Sequence, residues 1–181
     1  TGLLSNPWDN QTLFDFDGNA LPTLAVFDEG VPANRVVNHD FEQDGWTNSP
    51  SGWGVWAGNP SDYDAIKVEE PGVTGDYKLT HWKAAAYEAS TYQTITGLAN
   101  GTYSLTAWIL NGGGQNEVHL YAKNYGGSEL QQDLPVSAAK WVKIRIDNIQ
   151  VTNGQIEIGV YSDANAGNWI NMDNVKLYKT N

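Results

Sequence analysis

Thr102-Tyr-Ser-Leu-Thr-Ala-Trp-Ile-Leu110 alternates residue by residue: Tyr103, Leu105, Ala107 and Ile109 point one way, and Thr102, Ser104, Thr106 and Trp108 the other. A pleated strand sends successive side chains to opposite faces, so one face of this segment is core, and Trp108 stands on the other. Outward from it the same period recurs. Val118, Leu120 and Ala122 oppose Glu117, His119, Tyr121 and Lys123; Val142, Ile144 and Ile146 oppose Lys143, Arg145 and Asp147; Ile156, Ile158 and Val160 oppose Glu157, Gly159 and Tyr161. Gly, Asn, Asp or Pro bound each run, the pattern of an all-β sandwich or barrel. Apolar spacings of three and four are sustained nowhere, and Ala84 to Ala89 is the only short run of helix formers.

Two irregularities are legible. Asn153-Gly154 between the last two of these runs predicts a hairpin turn. In the closing strand, Trp169 to Tyr178, the parity of Ile170, Met172, Val175 and Leu177 slips after Met172, which predicts a bulge near Asp173. Residues 1 to 34 carry Pro7, Pro22 and Pro32 and no sustained alternation. They divide into a separate piece, 1–27, and a linker, 28–34, ahead of a sandwich over 35–181.

The chain has 181 residues, enough for one domain with a sizeable core plus a tail. Eight Trp and nine Tyr place more rings in the sequence than a core of this size needs. A formal net charge of -11 repels nucleic acid and anionic membranes, whereas a neutral polysaccharide remains an allowed partner. With no cysteine, disulfides and thiolate chemistry are excluded. No apolar run is long enough to span a bilayer, and any export signal is expected in a longer precursor.

The leading piece, Asn6-Pro-Trp-Asp-Asn-Gln-Thr-Leu-Phe-Asp-Phe-Asp-Gly-Asn-Ala-Leu-Pro-Thr-Leu-Ala-Val-Phe27, resembles the C-terminal end of the catalytic domain of bacterial family 53 endo-β-1,4-galactanases. The rest resembles the family 61 carbohydrate-binding modules that follow such enzymes. That resemblance is carried by Asn38-His-Asp-Phe-Glu42, by Ser90-Thr-Tyr-Gln-Thr-Ile-Thr-Gly-Leu98 running into Gly101-Thr-Tyr-Ser-Leu-Thr-Ala-Trp108, by Tyr125-Gly-Gly-Ser-Glu-Leu130, and by Asp163-Ala-Asn-Ala-Gly-Asn-Trp169 with Met172-Asp-Asn-Val175. It implies a jelly-roll β-sandwich of the galactose-binding-domain-like kind. It further implies a secreted, monomeric, non-catalytic module that holds its parent glycoside hydrolase on β-1,4-galactan, the side chain of pectin. The two catalytic glutamates of such an enzyme lie outside the stretch of resemblance.

A galactose site needs aromatic faces for C–H stacking and fixed polar groups that distinguish the axial O4. His81-Trp82-Lys83 is the first candidate, a ring between two donors, followed by a loop over Ala84 to Ser90; alternatively His81 shares the face of Leu79 as a core histidine. Tyr121, Lys123 and Tyr125 form the second, beside a Gly-Gly turn, with a solvated outer face as the other reading. Asn165, Asn168 and Trp169 occupy a loop before the last strand, where Trp169 can equally plug the sandwich. Trp56 is the ring of the Gly45 to Pro60 stretch best suited to face ligand, though all its tryptophans can cover a sandwich edge. Asp40 and Glu42, with Asp173 at the predicted bulge, resemble the structural Ca²⁺ site of related jelly rolls; the alternative is a set of exposed acids. Two other functions stay open: a protein-interaction or adhesion sandwich with its rings buried, and a polysaccharide lyase using Tyr121, Lys123 and a metal.

Overall fold

The computed structural model describes residues 33–180. The galactanase-like piece 1–27 and nearly all of the 28–34 linker lie outside them. The described unit starts at Asn34. Asn34 Nδ2 donates to the Val175 carbonyl at 3.1 Å, its Oδ1 accepts from Leu177 N at 3.0 Å, and Arg35 N donates to the Leu177 carbonyl. Asn34 is therefore part of the sandwich rather than of the linker.

Ten strands follow: β1 Gly54–Ala57, β2 Ile66–Glu69, β3 Lys78–Trp82, β4 Tyr87–Thr96, β5 Gly101–Asn111, β6 Glu117–Lys123, β7 Leu130–Asp133, β8 Ser137–Val151, β9 Gln155–Ala164 and β10 Trp169–Lys179. They form two antiparallel sheets, in the orders β1-β4-β9-β6-β7 and β2-β3-β10-β5-β8. A 3-10 turn, Pro60–Ala65, links β1 to β2. This is the all-β sandwich that the alternation predicts, with Leu105, Ile109, Leu120, Ile156, Ile158, Ile170 and Met172 fully buried between the sheets.

The predicted bulge is present: the β10–β5 register shifts between Asp173 and Lys176, and Asn174 takes a positive φ of 51°. The Asn153-Gly154 turn is not a hairpin. β8 pairs only with β5, while β9 pairs with β4 and β6 in the other sheet, so the turn carries the chain across the core. Period-two patterning marks which side chains face inward, and two strands facing the same core from opposite sheets show the same pattern. The expected loop over Ala84 to Ser90 is shorter than read, because β4 begins at Tyr87.

Candidate functional site

The outer face of the β1-β4-β9-β6-β7 sheet carries a groove of about 510 Å³. Strand register builds it in rows. In one row Trp56 of β1 lies beside Ser90 of β4, then Tyr161 of β9, then His119 of β6. The next row runs Gly54, Tyr92, Gly159, Tyr121, Gln131 across all five strands, and Glu157 pairs with Lys123 beyond it. Every ring here sits at the outward position of an alternating strand, opposite a core residue.

Two glycines let the tyrosines lie down. A Cβ at Gly54 would come within 2.6 Å of Tyr92 Cζ, and one at Gly159 within 2.7 Å of Tyr121 Cζ and Oη. Tyr121 thus lies over the β9 backbone as floor, nearly buried, while Trp56 stands up as a wall with 43% of its surface exposed. Stacking His119 on Tyr161, centroids 5.3 Å apart and planes 28° from parallel, extends the floor.

Hydrogen bonds fix the rings. Tyr121 Oη lies 3.1 Å from Ser90 Oγ and donates to Glu157 Oε1 at 3.3 Å. Lys123 Nζ, 3.1 Å from the same carboxylate oxygen, stands 4.8 Å from the Tyr121 ring centre. Tyr161 Oη donates to Glu88 Oε1 at 2.5 Å, and His119 Nδ1 is 3.2 Å from Glu117 Oε1. Burial first, and the neighbouring carboxylates Glu157 and Glu88 next, push the Tyr121 and Tyr161 phenols well above the ordinary tyrosine range. Both are donors that keep their protons. With Glu117, Glu129 and Glu157 lining the groove against Lys123, its field is negative and disfavours a carboxylated ligand.

The structure therefore brings Trp56, Tyr121 and Lys123 together and separates the other predicted residues from them. His81 faces the core, fully buried, with Nδ1 at 3.0 Å from Ser162 Oγ and Nε2 at 2.9 Å from Thr91 Oγ1. It is a core histidine, as Leu79 parity allowed, and reaches no ligand. Trp82 points the opposite way, onto the outer face of the other sheet. Lys83 is held 3.1 Å from both Asp62 and Asp64 and donates to the Ser61 carbonyl, so it pins the 3-10 turn instead of offering a free donor. Tyr125 is buried in the core, its hydroxyl donating to the Ser128 carbonyl. Asn165 Nδ2 joins loops by donating to the Gly114 carbonyl at 2.8 Å and Asn116 Oδ1 at 3.1 Å. Asn168 lies against Gly114 and Trp169 against Gly112, beside Trp82 on the second sheet.

Sequence reasoning missed His119, Tyr161, Tyr92 and Glu157 as groove residues. The signal was present, since His119 and Tyr161 occupy the polar faces of their strands. What was lacking was knowledge that β6, β9 and β4 are neighbours.

Two of the three predicted metal ligands are engaged by backbone amides. Glu42 Oε1 accepts from Asp76 N at 2.9 Å and Tyr77 N at 2.7 Å, clamping the loop before β3. Asp173 Oδ2 accepts from Val73 N and Thr74 N of the same loop, and Oδ1 from Asn174 N. Among the described residues no group of three His, Cys, Asp or Glu is placed to hold an ion. Asp173 is nonetheless buried with a raised pKa of about 6, chiefly through burial and in part through the charge of Asp40.

The two antiparallel sheets form a β-sandwich whose fold matches those of solved carbohydrate-binding modules. In particular, the chain is similar to a family 61 module solved in complex with β-1,4-galactotriose: TM-score 0.70, 24% identity, 81% of this chain and 99% of that one covered. A family 16 module matches with a TM-score of 0.53 at 17% identity, covering 81% of this chain and 100% of the other. A family 22 xylan-binding domain of Paenibacillus barcinonensis matches at 0.52 and 15%, over 79% and 94%. No family model matches the chain. A curated relative, a 1,6-alpha-glucosyltransferase of Sporosarcina globispora, is 30% identical over 169 residues, 86% of this chain. The chain spans 13% of that protein's length.

Proposed function

We propose that the described unit is a non-catalytic carbohydrate-binding module whose groove takes a neutral β-1,4-galactan chain, and that it serves a parent galactanase outside the cell as a monomer. The observation that carries this reading is the gathering of Trp56, Tyr92, Tyr121 and Tyr161 on one sheet face. Hydroxyl, amide and ammonium groups stand between these rings. Apolar ring faces with a few fixed polar groups are what a pyranose site requires. The likeness to a module solved with galactotriose supports galactan as ligand. Against a lyase stands Tyr121, whose raised pKa makes it a poor base at neutral pH. Against an adhesion sandwich with its rings sealed stands the exposed Trp56.

The glucosyltransferase relative favours a second reading, an α-1,6-linked glucan in the same groove. Isothermal titration against galactotriose, α-1,6-linked glucotriose, cellotriose and xylotriose separates the two. Galactotriose is expected to bind, and Trp56→Ala to weaken it by about tenfold or more, roughly 1.4 kcal/mol. Absence of heat with galactotriose, or an unchanged isotherm in Trp56→Ala, overturns the galactan reading.

We also propose that Asp173 and Asp40, with backbone carbonyl oxygens, hold a structural Ca²⁺. Its support is that Val175 N donates to the His39 carbonyl at 2.8 Å, which sets the Asp40 segment beside the bulge carrying buried Asp173, and two neighbouring carboxylates there are what a hard cation would relieve. Calcium should raise the melting temperature, EDTA should reverse this, and Asp173→Asn should abolish the response. A melting temperature indifferent to calcium in the parent protein refutes the site.

A further inference from the structure

The outer face of the β2-β3-β10-β5-β8 sheet is chemically unlike the groove face. Lys67 of β2, Lys78 of β3, Lys176 of β10, and Lys143 and Arg145 of β8 all stand at its outward positions, half of the chain's ten Lys and Arg. Three acids share these outward positions: Glu69 beside Lys78, Asp147 beside Arg145, and Asp173 of β10, buried, whose charge also acts on Lys78. In a protein of net charge -11, the positive charge is thus concentrated on the side away from the acidic groove.

This face also has its own cleft, of about 210 Å³. Trp82 and Trp169 are direct cross-strand partners at one end, and Trp82 is 40% exposed. Thr80 and Asn171 pair in the row beneath, Thr80 Oγ1 donating to Asn171 Oδ1 at 2.9 Å. That bond orients the amide and leaves its NH₂ end as a donor. Lys67 flanks Thr80 in register, its Nζ 4.6 Å from the Trp82 ring centre, and among the described residues no carboxylate lies within ion-pair distance of it. Glu69 and Lys78 also line the cleft, paired with each other at 3.9 Å, while the Lys67 ammonium meets a ring face, a contact that a carboxylate outcompetes.

We propose that this cleft is a second carbohydrate site, distinct from the groove, that takes a uronate unit of an anionic polysaccharide. The pyranose ring packs on Trp82 and Trp169, its carboxylate meets Lys67, and its hydroxyls meet the Asn171 amide and Thr80. One charge per sugar ring matches one uncommitted lysine beside two indoles. A single-stranded nucleic acid would also use rings and cations but needs a continuous positive track, which Glu69 and Asp147 interrupt. The two faces would then divide the work, neutral sugar on the acidic face and acidic sugar on the basic one. The inference does not rest on the groove reading.

Titrating the 181-residue chain with a trimer of α-1,4-linked galacturonate, and separately with galactotriose, tests it. Uronate binding should weaken about tenfold or more in Trp82→Ala and in Lys67→Gln, weaken further as salt is raised, and be indifferent to Trp56→Ala. Lys67 is half-exposed, so its variant keeps the test informative should Trp82→Ala fail to fold. Binding of the uronate alone leaves this site standing and removes the galactan reading; binding of galactotriose alone does the reverse. Uronate binding that survives both variants, or that is lost with Trp56→Ala, overturns the proposal. So does tighter binding of a single-stranded oligonucleotide that is lost in the same two variants.

Discussion

His81→Ala is expected to lower stability by about 2–4 kcal/mol at neutral pH, through lost packing and through two hydroxyls left without their partner. The imidazole fills space between the sheets and is the shared partner of Ser162 on β9 and Thr91 on β4. Because β3, which carries His81, belongs to the other sheet, these two bonds also tie the sheets together. Burial holds the ring neutral, pushing its pKa from 6.5 down to about 3. A depressed basic group stabilises the native state above its unfolded pKa. As pH falls from about 6.5 towards 3, the unfolded chain takes up a proton that the native ring refuses, and that stability is lost. The alanine variant has no such proton to take up. Urea unfolding at about pH 7.5 and about pH 4.5 should therefore show the gap between parent and variant shrinking by about 2 kcal/mol at the lower pH. A gap independent of pH would mean that the buried ring is already charged or already solvated.

The second large effect is expected at Gly159. A methyl group there meets the Thr91 carbonyl oxygen at 2.7 Å on one side and the Tyr121 ring at 2.7 Å on the other. The phenol can swing away, but the Thr91 oxygen is backbone of the adjacent strand, so the β4–β9 ladder has to shift. Gly159→Ala should cost about 1–3 kcal/mol of stability by overpacking. It should also cut galactotriose affinity by about a hundredfold, since displaced Tyr121 leaves Ser90 and Glu157 and rises into the groove. Thermal unfolding gives the first number and titration of the still-folded variant the second. A folded Gly159→Ala protein with parent affinity would show that the floor of the groove plays no part in recognition.

Both predictions turn on side chains whose role the sequence concealed in different ways. His81, Trp82 and Lys83 are consecutive, and in a strand consecutive residues cannot share a face; the parity of Leu79 left a core His81 open as the alternative to a ligand contact, and the structure takes that alternative. Their attraction as one donor–ring–donor group dissolves into a core histidine, an outer-face indole and a lysine bound to a turn. Tyr121 and Lys123, by contrast, are two apart and stayed together. Gly159 looked like a neutral outward position in β9; the Tyr121 ring resting on it and the Thr91 carbonyl beside it leave no room for a larger side chain.

By itself the sequence determined the strand class, the inward and outward residues of β5, β6, β8 and β9, the bulge at Asp173, and the excess of rings over what a core can absorb. These are properties of the chain's own period, imposed by the pleat within a few residues. Which strands become neighbours was decided only in the tertiary structure. Gly159 lies beside both Tyr92 and Tyr121, Trp82 beside Trp169, and the Asn153-Gly154 turn changes sheets, because pairing is settled by contacts between residues tens of positions apart. A groove, and the opposite charge of the face behind it, exist only once those partners are chosen.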